Sequence, residues 1–216
     1  MTVTKIIGDV CGSIIRVIVR VLGSAGIHPN VLTFIGLLIN IYAASLFAAG
    51  AFFQAGLVII GAGIFDMVDG RVARDTGQVT RFGGFFDSVL DRYSDLALLM
   101  GVLVYYASIN RNLYVVLTAV VMTASVMISY TRARAENTIP SCKVGFLERP
   151  ERIVLLIIGA LFDKMAPVLW LIAVLGNITV IHRMMFTFSE AKQLEEAQLR
   201  AAPLTRAASS AAGQGD

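Results

Sequence analysis

Residues Phe65–Asp95 read FDMVDGRVARDTGQVTRFGGFFDSVLDRYSD. This stretch carries six aspartates and four arginines, although the chain on both sides of it is apolar. No formally charged residue lies between Arg20 and Asp66, and Leu96–Asn110 is again uncharged. Ionisable groups within a membrane-embedded region are energetically costly and usually serve a function. The stretch therefore marks both a turn between apolar helices and the first place to look for a site.

The composition indicates a polytopic membrane protein. The 216 residues are 56% hydrophobic and 15% charged, whereas a soluble domain carries about 25% charged residues. We therefore expect one all-α integral membrane domain. The net charge of +3 is modest, and we expect no nucleic-acid partner. Cys11 and Cys142 are too few for a disulfide framework or a CxxC metal site, so we expect them to be reduced.

The apolar segments predict six transmembrane helices. Val21–Phe65 contains 45 residues without a formal charge; as one helix it would be roughly 68 Å long, about twice the hydrocarbon thickness. It must fold back, and Ala48–Gly56 contains the natural break. The expected helices are Val31–Phe52, Gln54–Arg74, one that begins near Gly83 and includes Leu96–Asn110, Leu113–Glu136, one that begins at Pro150, and Ala166–Thr187.

Three regions follow from this assignment. Residues 1–28, in which Lys5, Arg16 and Arg20 alternate with Ile and Val, are expected to form an amphipathic juxtamembrane segment. Residues 29–187 form the six-helix transmembrane domain, and 188–216 a polar tail with a short helix and partial disorder. The distribution of Lys and Arg predicts a multi-pass protein of the cell membrane with both termini and the charged stretch on the cytoplasmic side.

Two pairs of carboxylates have helical spacing. Asp66 and Asp69 are three residues apart, and Asp87 and Asp91 are four apart, so each pair lies on one helix face. A short loop joins the two helices, which places the pairs opposite each other. Such carboxylates cannot all ionise unaided in a medium of low dielectric constant. Oxygen ligands suit Mg²⁺ or Mn²⁺, and two such ions about 4 Å apart can clamp a transferring phosphoryl group.

Neighbouring residues extend this interpretation. Gly70 lets a ligand approach the backbone, and Arg74 offers a guanidinium fork for a phosphate. We expect Asp95 to be a packing partner of Arg92 or Tyr93 rather than a metal ligand. A single intramembrane aspartate could equally serve a helix–helix hydrogen bond or a proton path.

The spacing of these residues resembles the signature of the CDP-alcohol phosphotransferase family, D-x-x-D-G-x-x-A-R-x8-G-x3-D-x3-D. Its eight defined positions are all present, as Asp66, Asp69, Gly70, Ala73, Arg74, Gly83, Asp87 and Asp91. The family transfers a substituted phosphate from a CDP-linked donor to an alcohol and releases CMP.

The resemblance implies a role for each of these residues. Two Mg²⁺ or Mn²⁺ ions would bind per site. Asp66, Asp69 and Asp87 would hold the first ion, and Asp66, Asp87 and Asp91 would hold the second. Asp91 would also be the general base. The CDP-linked donor would be bound by Gly70, Arg74 and Thr80, with Asn30, Val31, Leu32 and Thr33 closing the pocket. The resemblance also implies a homodimer.

Three further arginines stand where the last three predicted helices meet the cytoplasm: Arg132, Arg152 and Arg183. A cluster of guanidinium groups suggests a second anionic group, such as a phosphate on the acceptor. Arg134 and Arg149 are interpreted as solvated residues that follow the positive-inside rule. The segments SYTRARAE and GFLERPER are similar to those of the inositol-phosphate-using branch of the family, in which the three arginines match the positions that bind the acceptor phosphate.

The leading hypothesis is therefore an enzyme that makes phosphatidylinositol phosphate from CDP-diacylglycerol and inositol 1-phosphate within the membrane. One alternative keeps the chemistry but uses glycerol 3-phosphate or a serine-like alcohol as acceptor, and another uses CDP-inositol as donor. A different class is a cation or proton transporter that uses the intramembrane aspartates, but a phosphate fork has no purpose there. A noncatalytic metal-binding scaffold is a further alternative.

Overall fold

The computed structural model of the chain describes residues 29–75 and 80–212, with side chains for 30–66 and 80–196. The described part contains six helices and no strand, which confirms the predicted all-α class. The helices are α1 Pro29–Ala48, α2 Phe52–Asp75, α3 Arg81–Ser108, α4 Asn112–Ala135, α5 Arg149–Leu161 and α6 Met165–Ala212. The expected juxtamembrane segment 1–28 and Cys11 lie outside the described residues.

Three helices of the described part are long and apolar enough to cross a membrane: Asn30–Ala48, Asn112–Ala135 and Met165–Glu196. A fourth apolar stretch, Phe52–Asp66, is shorter. Helix α3 carries three aspartates, Asp87, Asp91 and Asp95, and α5 has only 13 residues, which is about 20 Å of helix. The six helices therefore exist, but only half of them have the length and composition of a simple membrane span.

Tight turns join the helices at one end of the bundle, which we call the closed end. Its connections, residues 49–51, 109–111 and 162–164, each contain one residue with positive φ: Gly50, Asn110 and Asp163. In each turn a backbone N–H reaches back five residues to a carbonyl: Ala51 to Leu46 at 2.8 Å, Arg111 to Tyr106 at 2.9 Å and Lys164 to Gly159 at 2.8 Å. These bonds are typical of the Schellman motif that terminates a helix. Because Gly50 ends α1 in this way, α1 stops four residues before the predicted Phe52.

The apolar core lies between the closed end and the middle of the bundle. Helices α1 and α3 approach so closely that a Cβ atom on Gly101 would lie 2.2 Å from the carbonyl oxygen of Ala44. Phe52 packs edge-on against Tyr105, with ring centroids 4.7 Å apart. This half of the molecule is held together by close backbone contact and by aromatic packing.

The other end of the bundle, which we call the site end, has longer connections. Helix α3 begins at the N-cap Thr80, whose Oγ1 accepts a hydrogen bond of 2.9 Å from the Gly83 N–H. The loop 136–148 between α4 and α5 rests on α6: the Phe146 N–H donates to Thr179 Oγ1 at 3.4 Å. Cys142 is a buried free cysteine in this loop. Helix ends and loops therefore surround one opening at this end.

Helix α6 is longer than the sequence suggested. It continues without a break from Met165 to Ala212, whereas we expected the transmembrane helix to end near Thr187, followed by a short helix and a partly disordered tail. The segment after Thr187 is rich in Ala, Leu, Glu and Gln. These residues have high helix propensity, so a polar composition alone did not indicate where the helix ends.

Candidate active site

Carboxylates from α2 and α3 meet at the site end. The guanidinium of Arg149 bridges them: its Nη2 lies 3.3 Å from Asp66 Oδ2, and its Nη1 lies 2.9 Å from Asp91 Oδ1. Asp87, on the exposed side, is within electrostatic range of both carboxylates. The predicted convergence of Asp66, Asp87 and Asp91 is therefore seen. Asp69 lies on α2 three residues after Asp66, with its side chain outside the described part.

The interpretation of Arg149 as a solvated surface residue is wrong. Its side chain is 26% exposed and makes three ion pairs within the carboxylate cluster, the third to Asp95 Oδ1 at 3.3 Å. A helix begins at this residue, which directs its side chain towards α2 and α3. Its charge offsets the mutual repulsion of the aspartates, because opposite charges at this distance attract strongly away from bulk water.

Asp95 has other partners than the two we expected. Its carboxylate is buried and accepts hydrogen bonds from Arg152 Nη2 at 2.8 Å and from Arg149 Nε at 3.3 Å. Arg92 instead donates to the carbonyl of Ser88. Arg152 is also buried, at 3% exposure, as its place in the short α5 predicted. A buried charge is tolerated when it is paired and hydrogen-bonded, and Asp95 with Arg152 forms such a pair.

Helix α1 closes one side of the cluster through Gly36. A Cβ atom at this position would lie 3.0 Å from Asp66 Oδ1. A larger residue would therefore displace the carboxylate. Gly36 is a site residue that the sequence did not single out, since one glycine in an apolar helix carries no pattern of its own.

The residues expected to bind the CDP-linked donor lie nearby. A Cβ atom on Gly83 would be 3.0 Å from Thr80 Oγ1 and 3.4 Å from Asn30 Oδ1, so the beginnings of α1 and α3 are adjacent. Of the other predicted contacts, Val31 is exposed, Thr33 is half-buried and Leu32 is buried. Leu32 could contact a donor only through its backbone. Gly70 and Arg74 lie on the last turns of α2, and the Arg74 side chain lies outside the described part.

A cavity of about 490 Å³ opens beside the carboxylates. Its lining brings together Asp91 and all three arginines expected to bind the acceptor. The lining residues are Ser88, Asp91, Arg92, Ile128, Ser129, Arg132, Ala133, Glu136, Glu148, Arg149, Pro150, Arg152 and Arg183. Pockets of this size accommodate a small polyol phosphate.

Two of these arginines share one carboxylate oxygen. Glu148 Oε1 accepts hydrogen bonds from Arg132 Nη1 at 2.9 Å and from Arg183 Nη2 at 3.0 Å. Arg183 is 1% exposed, and its other donors bind backbone carbonyls, with Nε 2.8 Å from Val144 O and Nη1 on Ile128 O. Its guanidinium is thus held firmly with one edge facing the cavity.

The donor set at the cluster suits a hard divalent cation. All the acidic groups are carboxylates, and hard cations prefer oxygen ligands. Among the described side chains no group of three or more His, Cys, Asp and Glu is close enough to hold a metal. The side chain of Asp69, the fourth predicted ligand, is not among these described side chains. The bridging guanidinium of Arg149 marks the cluster as a place where positive charge is stabilised.

Comparison with known families identifies this constellation. Residues 26–190 match the model of the family described as CDP-alcohol phosphatidyltransferase. This match covers all six helices up to the first part of α6. The chain belongs to the CDP-alcohol phosphatidyltransferase family.

Two named relatives are similar to most of the chain. The archaetidylinositol phosphate synthase of Pyrococcus horikoshii is 36% identical over 177 residues, which are 82% of this chain and 90% of the relative. The phosphatidylinositol phosphate synthase of Mycobacterium tuberculosis is 36% identical over 178 residues, 77% of this chain and 82% of the relative.

Solved structures of the Mycobacterium tuberculosis enzyme have the same fold. The crystal structure with CDP-DAG bound gives a TM-score of 0.76 at 32% identity and covers 82% of this chain and 94% of the other. The structure in complex with manganese and citrate gives 0.73 at 34% identity, with 79% and 87% covered. The family resemblance of the motif is therefore confirmed, and with it the assignment of the chain as a transferase.

This member of the CDP-alcohol phosphatidyltransferase family also has site residues that sequence reasoning missed. Glu148 and Arg149 stand in the segment GFLERPER, but only the later Arg152 was assigned a role there. Arg149 precedes Arg152 by three residues and therefore lies on the same face of α5. That spacing was a signal in the sequence. Nothing local indicated that Glu148 would contact Arg183, which lies 35 residues away.

Proposed function

We propose that this family member transfers a phosphatidyl group from CDP-diacylglycerol to inositol 1-phosphate, forms phosphatidylinositol phosphate and releases CMP. The observation that carries the proposal is the cavity lined by both Asp91 and the three arginines Arg132, Arg152 and Arg183. It places a candidate base for the attacking hydroxyl beside several guanidinium groups for the phosphate, as a phosphorylated polyol acceptor requires. The relatives named above make inositol-phosphate lipids, which supports this acceptor.

Asp91 is proposed as the general base. Its Oδ1 is occupied by Arg149 at 2.9 Å, while Oδ2 has the longer contact of 3.6 Å with Arg92 among the described residues. Oδ2 is therefore the oxygen with capacity to accept a proton from the acceptor hydroxyl. As that proton leaves, the hydroxyl oxygen forms a bond to the phosphorus of the donor next to the lipid. The bond from this phosphorus to the CMP oxygen breaks, and CMP leaves with the electron pair.

Asp66, Asp69, Asp87 and Asp91 are the residues proposed to hold two Mg²⁺ ions. When bound, such ions would neutralise the diphosphate of the donor and stabilise the negative charge on the leaving CMP. The manganese complex of the Mycobacterium tuberculosis relative supports a divalent cation. The carboxylates are presented from α2 and α3, and Gly36 leaves space for the Asp66 carboxylate against α1.

The donor is proposed to bind on the opposite side of the cluster from the arginines. Gly70, Arg74 and Thr80, with Asn30, Val31, Leu32 and Thr33, would contact the CDP group there. The proximity of Asn30 and Thr80 to Gly83 supports a single donor pocket between α1 and α3. The CDP-DAG complex of the relative supports the same donor class.

The chain is also proposed to have a defined division into regions and a defined orientation in the membrane. We infer that residues 29–187 form the catalytic domain, that 1–28 lies on the membrane surface, and that 188–216 and the site end face the cytoplasm. A homodimer is proposed from the family resemblance.

Cysteine labelling in a cysteine-free background tests the orientation in the membrane: residues 81 and 143 should react from the cytoplasm and 111 from outside. The reverse pattern would contradict this topology.

CMP release tests the proposed reaction. The purified protein is given CDP-diacylglycerol, Mg²⁺ and, separately, inositol 1-phosphate, free inositol, glycerol 3-phosphate or serine. We expect release of CMP and formation of the phosphorylated lipid with inositol 1-phosphate above all others. Equal rates with free inositol would exclude the phosphate pocket, a preference for glycerol 3-phosphate would change the acceptor, and no release with any acceptor would exclude the enzyme class.

A further inference from the structure

The acceptor cavity contains a negative side chain where a phosphate would be expected. Glu148 Oε1 lies between Arg132 Nη1 and Arg183 Nη2, at 2.9 and 3.0 Å. An anion oxygen held between two guanidinium groups from different helices is the geometry of an anion-binding subsite. The two N–H groups that would bind a phosphate oxygen are thus already occupied by an oxygen of the chain itself.

Arg183 and Glu148 differ in how firmly their side chains are held. Arg183 is 1% exposed and fixed by two backbone carbonyls. The Glu148 side chain is 43% exposed. Glu148 is also the N-cap of α5, but its side chain makes no capping hydrogen bond. Glu is not among the residues preferred at this position. The carboxylate can therefore rotate away from the arginines without disturbing the start of α5.

A phosphate and this carboxylate cannot both accept from the same two N–H groups. Two anions in one partly desolvated site also repel each other. Either an incoming phosphate displaces Glu148, or it binds elsewhere.

We propose that Glu148 is a resident anion of the acceptor subsite, which holds Arg132 and Arg183 in their binding arrangement and is displaced by the phosphate of the acceptor. This inference rests on the proposed function, since it assumes that these arginines receive that phosphate. Glu148 thereby sets the affinity of the subsite for anions. A small anion must offset the lost carboxylate contacts by itself, whereas a phosphorylated polyol has further hydroxyl groups that contribute to binding.

The test is a titration of the purified full-length protein with inorganic phosphate, followed by calorimetry. In Glu148→Gln the competing charge is removed at nearly constant size, so we expect the Kd for phosphate to fall at least about 10-fold, the effect of one charge-assisted hydrogen bond. With inositol 1-phosphate as substrate the KM should fall in the same direction.

Glu136→Gln is the matched control. Glu136 lines the same cavity and pairs with Arg132, but through Nε at 3.2 Å, and it does not bridge to Arg183. The Glu136→Gln substitution removes the same charge as Glu148→Gln. We expect it to change the phosphate Kd by less than about 3-fold, which is less than the effect of one charged hydrogen bond. If the two substitutions had equal effects, Glu148 would contribute only to the general negative potential of the cavity. That result would overturn the proposal. Weaker phosphate binding in Glu148→Gln would also overturn it, since Glu148 would then only position the arginines.

A second measurement does not need the variant to fold. A structure of the wild type in inorganic phosphate should show the anion between Arg132 and Arg183 with the Glu148 carboxylate moved away. Phosphate bound while Glu148 keeps both contacts would overturn the proposal. If the wild type binds phosphate but does not use inositol 1-phosphate, the proposed function fails, while the titration still decides the role of Glu148.

Discussion

The two ends of the bundle are built in different ways. At the closed end, three connections of three residues each join the helices through Schellman turns, and α1 and α3 touch at Gly101. At the site end, the connection between α4 and α5 runs from 136 to 148, and ion pairs replace apolar contact. Backbone hydrogen bonds and close packing hold the first end, and charge pairing holds the second.

This difference separates stability from function. Short turns and interdigitated side chains contribute to folding but leave no space for a ligand. The site end keeps a cavity of about 490 Å³ and a set of charges whose partners can be exchanged. Substitutions at the closed end should therefore lower stability without changing substrate affinity, and those at the site end should do the reverse.

The largest effect is expected at Asp91. Asp91→Asn removes the proposed base, and positioned proton transfer contributes about 100- to 10,000-fold to a rate. CMP release should fall by at least about 100-fold on that scale, while the melting temperature stays near that of the wild type. Normal CMP release by the variant would remove Asp91 from the mechanism.

Arg132→Ala should raise the KM for inositol 1-phosphate by about 10- to 150-fold, since a charged hydrogen bond contributes about 1.5–3 kcal/mol. The KM for CDP-diacylglycerol should hardly change. Arg134→Ala is the control: it removes the same group from the same turn of α4, but Arg134 is exposed and does not line this cavity. Similar acceptor KM values in both variants would mean that these arginines only mark the cytoplasmic side.

Arg149→Ala should reduce CMP release by about 10-fold or more, the effect of losing one charged hydrogen bond. The aspartates on α2 and α3 would lose the cation that joins them. Rates measured over a range of Mg²⁺ concentrations, beside those of Arg134→Ala, check this expectation. If Arg149→Ala is as active as Arg134→Ala, the ion pairs of Arg149 have no part in the reaction.

Gly101→Ala should lower the free energy of unfolding by about 1–3 kcal/mol, because an added methyl group in a close contact forces the helices apart. Its Cβ would lie 2.2 Å from Ala44 O, whereas a Cβ on Gly63 meets nothing within 4 Å. Gly63→Ala should therefore leave the melting temperature unchanged or slightly raised. Acceptor KM values should be the same in both. A large rise of KM in Gly101→Ala without loss of stability would remove the distinction between the two ends.

The helices themselves were largely predictable. Uncharged runs interrupted by Gly, Asn and Pro located all six to within a few residues at most boundaries, because helix formation depends on neighbours close in sequence. The end of α6 was wrong, since polar helix-forming residues continue a helix beyond the apolar stretch. Three helices have the length and composition of a simple span, whereas α3 and α5 carry charged residues that pair within the bundle.

For the site, the sequence by itself determined the pairs that lie on a single helix. Spacings of three and four residues place Asp66 with Asp69 and Asp87 with Asp91, whatever the helix packs against. The family signature rests on the same local geometry. Arg152 was also predictable as an inward residue, since α5 is too short to hold it in water.

Only the tertiary structure decided which charges meet between helices. Arg149 contacts Asp66 from 83 residues away, and Glu148 contacts Arg183 from 35 residues away. Such pairs depend on the rotation and crossing of α2, α3, α5 and α6, which result from close packing in the core and leave no local pattern in the sequence. For this reason Arg149 was mistaken for a solvated residue, and Glu148 was not considered at all.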